Sequence, residues 1–160
     1  TCTVNRSGST HSVEVPVNVS RRMSPRIALG LLGTFVAIQL VPYGRAHTNS
    51  PVTGEPPWDT PATRALAKQA CFDCHSNETE WPWYSKVAPS SWLLAYDVAA
   101  GRSRMNFSEW DTRPTGVGEI IEQVSSGEMP PVQYTLAHPE TKLEGAQLDA
   151  FIAALKKTFR

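Results

Sequence analysis

Residues 71–75 read Cys-Phe-Asp-Cys-His, two thiols three positions apart with an imidazole directly after the second. Three chemistries use such a group: a metal centre, a redox-active disulfide and haem attachment. At a helix end, residues i and i+3 present both sulfurs on one side, and the next residue projects its ring into the same neighbourhood. That spacing suits a flat macrocycle, because two thiols can form thioethers with the two vinyl groups of a porphyrin while the following histidine reaches the iron. Structural zinc needs a fourth ligand and a second close pair, yet Cys2, His11, His47 and His138 all stand alone. A thioredoxin-like pair would sit in a βαβ setting, and no strand pattern surrounds this one. The residues therefore predict one covalent haem c held by Cys71 and Cys74, with His75 as an axial ligand.

Haem makes two further demands, a sixth ligand and an apolar wrap. Met129 is the favoured ligand: it lies in Ser-Ser-Gly-Glu-Met-Pro-Pro-Val, where the prolines stiffen the loop and keep the methionine out of a helix. Met105, and His138 in Leu-Ala-His-Pro-Glu, are the alternatives. Trp81, Trp83, Tyr84 and Trp92 follow the motif closely and are expected to contribute to the wrap, with an indole N–H or the Tyr84 hydroxyl reaching a propionate. A metal-bound histidine normally donates its other ring N–H to a fixed acceptor, and the Pro89 carbonyl is the expected one.

The elements that must position these groups are helices. The chain has 160 residues, 41% of them apolar, enough for one ordinary core. Thr60 and Pro61 read as an N-cap and first-turn proline for a helix running into Cys71. Further helices are expected over 91–102 and 117–125. The last segment carries Leu148, Phe151 or Ile152, Leu155 and Phe159 at helical spacing, with basic residues in its final turn. No alternating run of useful length argues for a strand, so the fold class is all-α, a helical bundle around one covalent haem with an N-terminal hydrophobic helix. The helix entering Cys71 is expected to pack on the C-terminal one.

The chain divides by composition. Residues 1–22 read as a disordered tail or upstream extension, and 23–46 as a signal or membrane anchor built on the uncharged run 27–44. As a helix that run would measure about 27 Å, slightly short of a hydrocarbon core of about 30 Å. An uncleaved anchor is the favoured reading, and the small residues Gly44 and Ala46 offer the alternative of cleavage. Residues 47–59 form a proline-bearing linker, and 60–160 the haem c domain. Net charge is zero overall, but residues 1–46 hold five Arg against one Glu and residues 47–160 ten Lys or Arg against fourteen Asp or Glu. A mildly acidic globular part without a basic stripe argues against a nucleic-acid partner.

With Cys-Phe-Asp-Cys-His-Ser-Asn-Glu-Thr-Glu-Trp-Pro-Trp-Tyr, Asn-Phe-Ser-Glu-Trp and Gly-Glu-Met-Pro-Pro in hand, the chain resembles the haem-binding-domain family of small bacterial monohaem c-type cytochromes. The likeness runs from about Asn49 to Phe159. It implies thioether attachment at Cys71 and Cys74, ligation by His75, and export to the periplasmic side of the inner membrane of a Gram-negative bacterium, usually behind a hydrophobic anchor. The expected role is electron carriage between redox partner proteins rather than catalysis, since His/Met ligation leaves no open iron site. The other class is a haem enzyme subunit or a gas or redox sensor with a displaceable sixth ligand.

Overall fold

The computed structural model describes residues 24–159; the tail expected over 1–22 lies outside them. The described residues are all-helical, as expected, with one isolated parallel bridge between Gly54 and Glu109. Helix α1 is Pro25–Ile38, α2 Pro61–Ala70, α3 Phe72–His75, α4 Ser90–Arg104, α5 Val117–Ser125, α6 Val132–Ala137 and α7 Gly145–Thr158. Short 3-10 turns occupy Trp83–Lys86 and Pro139–Thr141.

Helix α2 starts where the sequence marks it. The Thr60 hydroxyl accepts the Thr63 amide at 3.1 Å, and Pro61 fills a first-turn position whose amide has no helical partner. Its C-cap is Cys71, so the first cysteine is delivered by a helix end, and α3 carries the chain to His75. Helix α7 buries Phe151 and Leu155 against Ala67 and Ala70 of α2, with Leu148, Ile152 and Phe159 partly buried beside them. This is the packing the helical spacing predicts. The Asp59 amide donates to the Thr158 hydroxyl at 3.2 Å and closes the end of the pair. Next to it Trp58, Phe72, Phe107, Trp110 and Phe159 form an aromatic cluster with ring centroids 4.8–6.3 Å apart. Filling the core with rings such as Phe72 and Phe107 sets a firm floor beneath the cysteines.

The N-terminal apolar run differs from expectation in length. Helix α1 has 14 residues, none of them buried, and stops at Ile38, giving about 21 Å at the helical rise. Among the described residues no helix is long and apolar enough to cross a membrane. One local and one long-range cause end it. Pro42 disfavours the helical conformation at Val41, and the Gln39 side chain, which also donates to the Phe35 carbonyl, pairs both ways with Ala88, donating to its carbonyl at 2.9 Å and accepting its amide at 3.0 Å. Gly44, at φ 77°, then passes so close to α4 that a Cβ would lie 2.1 Å from the Ser91 carbonyl oxygen.

The segment 47–59 is extended, as Pro51, Pro56 and Pro57 favour, but it is a fastened strap rather than a free linker. The His47 ring stacks on Trp81 at 4.5 Å, the Asn49 amide donates to the Thr79 carbonyl, and the Thr53 amide donates to the Ser108 carbonyl. Glu55 accepts from Arg64 and from the Trp58 indole.

Candidate functional site

Cys71, Cys74 and His75 line one large cavity, and Met129 with Pro130 and Pro131 lines it too. The cavity measures about 940 Å³, near the top of the usual range for organic ligands of about 300–1,000 Å³. Its other walls come from α4, α5, α6 and the start of α7, so the residues 54 positions apart in sequence at His75 and Met129 share one space.

The cysteines are free thiols. Burial pushes the thiol of Cys71 up to about 12, with its neighbour Cys74 adding to the effect. Cys74 also rises to about 12, through burial first and then the nearby charges of Asp97 and Asp73. Both sulfurs are therefore protonated at neutral pH, and neither has the low-pKa environment of a redox-active thiolate.

His75 is fixed on both ends. Its carbonyl accepts the Phe107 amide at 2.8 Å, and its Nδ1 faces the Met105 carbonyl at 3.2 Å. A carbonyl only accepts, so Nδ1 carries the hydrogen and Nε2 keeps the lone pair an iron needs. Burial lowers its proton affinity against the pull of the Met105 and Gly101 carbonyls, keeping the ring neutral. The acceptor is thus Met105, not Pro89. Pro89 is exposed, and its carbonyl takes the amides of Trp92 and Leu93 as α4 begins. Met105 ends α4, and α4 lies directly on α3: a Cβ at Gly101 would sit 2.3 Å from the Cys74 carbonyl oxygen. A glycine inside a helix costs about 1 kcal/mol relative to alanine, so Gly101 was the available signal that another backbone passes there.

The four expected aromatics separate. Trp81 and Tyr84 line the cavity. Trp83 is 79% exposed, and Trp92 packs outside the lining. Trp81 has a buried indole Nε1 without a hydrogen-bond partner. An unmet buried donor costs about 1–3 kcal/mol, and an anionic acceptor such as a haem propionate would satisfy it. Tyr84 and His138, both singled out in the sequence, line the cavity together with Asp73 and Tyr134, which were not, and Glu140 stands just outside it. The Tyr84 hydroxyl meets His138 Nε2 at 2.5 Å, His138 Nδ1 faces Glu140 at 3.3 Å, and the Tyr134 hydroxyl donates to Asp73 at 2.5 Å. Both nitrogens of His138 are therefore engaged. Met105 lines the cavity as well, on the His75 side, and packs against the core. Two thiols three residues apart, a neutral imidazole with a presented lone pair, a methionine and the ring of Trp81 lining one largely apolar space fit haem.

The sequence model of the haem-binding domain matches residues 33–157. The chain belongs to the haem-binding-domain family, and it binds haem. The matched region begins within α1 and takes in the strap. Comparison with curated proteins and with solved structures gives no match.

Proposed function

We propose that this chain is a monohaem c-type cytochrome, carrying single electrons between redox partner proteins on the periplasmic side of the inner membrane. One observation carries the reading: Cys71, Cys74, His75 and Met129 line a single cavity large enough for haem. Each thiol would add across one vinyl group, its sulfur to one carbon and its hydrogen to the next, leaving a thioether at Cys71 and at Cys74. Bound there, haem supplies a one-electron couple at its iron. His75 offers Nε2 as one axial ligand, oriented through Nδ1 by the Met105 carbonyl.

Met129 is the sixth ligand in this reading. His138 competes poorly because Tyr84 and Glu140 occupy its nitrogens, and Met105 because its backbone already serves the His75 side. Ligation by His75 and Met129 closes both iron faces and raises the potential, which suits a carrier. The exposed apolar residues of α1, Ile27, Leu29, Leu31, Leu32, Phe35 and Val36, support anchoring to the membrane.

Mass spectrometry after expression with a c-type maturation system tests the reading. The chain should gain the mass of one haem, and Cys71→Ala with Cys74→Ala should abolish that gain entirely. A wild-type mass equal to the bare polypeptide would sink covalent attachment. Fractionation tests the anchor, which predicts retention in the membrane pellet after a salt wash.

A further inference from the structure

Two cavities meet at one polar wall. Asp73, Glu80, Tyr134 and His138 line the haem cavity on one side and a smaller outer cleft of about 430 Å³ on the other. His138 is the centre of that wall. Its ring stacks on Tyr134 at 4.8 Å, its Nε2 meets the Tyr84 hydroxyl at 2.5 Å, and its Nδ1 faces Glu140 Oε1 at 3.3 Å. Its side chain keeps 24% exposure and that of Glu140 64%, so water reaches the pair.

Resting on the haem reading above, we propose that His138 is a proton-binding site coupled to the redox state of the haem, so that the protein takes up a proton as it takes up an electron. The hydrogen bonds define how. A carboxylate only accepts, so Nδ1 donates to Glu140, and in the neutral ring Nε2 must accept from Tyr84. A proton arriving at Nε2 reverses that bond: His138 donates, the Tyr84 oxygen accepts, and the Tyr84 hydroxyl hydrogen turns to another acceptor. Tyr84 lines the haem cavity, so the O–H dipole beside the haem changes direction with the charge on His138.

The electron comes from a reduced partner protein and the proton from solvent in the outer cleft, and reoxidation returns both. An electron added in the cavity attracts the proton by Coulomb interaction across a partly desolvated wall. By linkage, the proton favours reduction by the same factor. The charged and titratable groups facing His138 are Tyr84 from the first 3-10 turn, Tyr134 from α6 and Glu140 from the second 3-10 turn. Across the cleft lie Lys68 of α2, Asp73 of α3, and Glu78 and Glu80 of the following loop.

The test is a redox titration of the full haem-loaded chain across roughly pH 5–9, which brackets histidine titration. Proton uptake on reduction is followed in parallel with an indicator dye in weak buffer. Proton affinity should be roughly five- to 150-fold higher in the reduced protein. The potential should fall as pH rises, by no more than tenfold in the redox equilibrium per pH unit, about 59 mV for one electron. His138→Gln should flatten the slope and abolish dye-detected uptake, and Glu140→Gln, which removes the acceptor that fixes Nδ1 as a donor, should change the slope. A flat wild-type profile, or a slope unchanged in both variants, overturns the inference while leaving the cytochrome reading intact. Loss of the low-spin spectrum in His138→Gln overturns it by making His138 an iron ligand. A chain that takes up no haem sinks the functional reading itself.

Discussion

The two sides of the cavity are built to different standards. On the His75 side Ser76, Asn77 and Thr79 are buried and cross-tied. The Asn77 amide donates to the Ser108 hydroxyl, Asn106 donates to the Asn77 side chain, and Arg102 reaches the Ser76 carbonyl, Asn49 and Thr79. On the Met129 side, Ser125 to Glu128 are exposed, and the Met129 amide is held by one backbone bond, to the Gln123 carbonyl at 3.1 Å. In the proposed cytochrome, the ligand on the attachment side would be fastened from several elements and Met129 would hang on a short proline-stiffened loop, so the Met129 bond could vary in strength without loosening the attachment side.

Substitutions can break or sharpen that contrast. The largest effect is expected from Gly101→Ala, because the new methyl meets a backbone carbonyl at 2.3 Å rather than a yielding side-chain end. Overpacking of this kind costs about 1–3 kcal/mol, read as a lowered melting temperature together with a changed His75 environment in the haem spectrum. Asn77→Ala follows: it strips partners from the Asn106 side chain and the Pro51 carbonyl, and unmet buried groups cost about 1–3 kcal/mol. Met129→Ala should cost only about 1 kcal/mol of stability, the packing of a half-buried side chain. It should nevertheless abolish the near-infrared sulfur-to-iron band and let the ferrous protein bind carbon monoxide readily. If that variant proves less stable than Asn77→Ala, the contrast between the two sides is wrong.

The smallest effect concerns acid. The carboxyl of Glu55 is held below its ordinary value, chiefly by hydrogen bonds from Arg64. A depressed carboxyl adds stability at neutral pH that fades as pH falls through its folded value. The pair is partly exposed, at 34% and 23%, so the contribution is discounted to less than about 1 kcal/mol. Glu55→Gln should accordingly be slightly less stable than wild type at neutral pH and converge with it in acid denaturation.

Helices α2, α4, α5 and α7 were legible in the sequence because each carries a local mark, a cap, a breaker or a run of apolar residues at helical spacing. The attachment motif was legible because its chemistry is contained in five consecutive residues. Helix α6 was not: it has six residues, none of them buried, and prolines at both ends, too short for periodicity to show. The acceptor for His75 lies 30 residues away, at a position fixed by the contact of α4 with α3 rather than by any feature of Met105. Tyr84, His138 and Glu140 meet only because the 3-10 turns bring them together, and their sequence neighbourhoods read as ordinary proline-bearing loops. The early stop of α1 depends on Gln39 finding Ala88, 49 positions on.

The clasp between Gln39 and Ala88 turns α1 from a tether into a handle. From Gln39 to Glu55 the chain is secured at Ala88, Ser91, Ser85, Thr79 and Ser108 in turn, leaving no slack in which the helical body could swivel. If α1 is seated in a membrane, as proposed, these ties would set the compass bearing of the cavity mouth against that surface, and a redox partner would meet it at one aspect instead of sampling all of them. Gln39→Ala would remove the first of these five ties and loosen α1 alone, without touching a residue of the cavity lining.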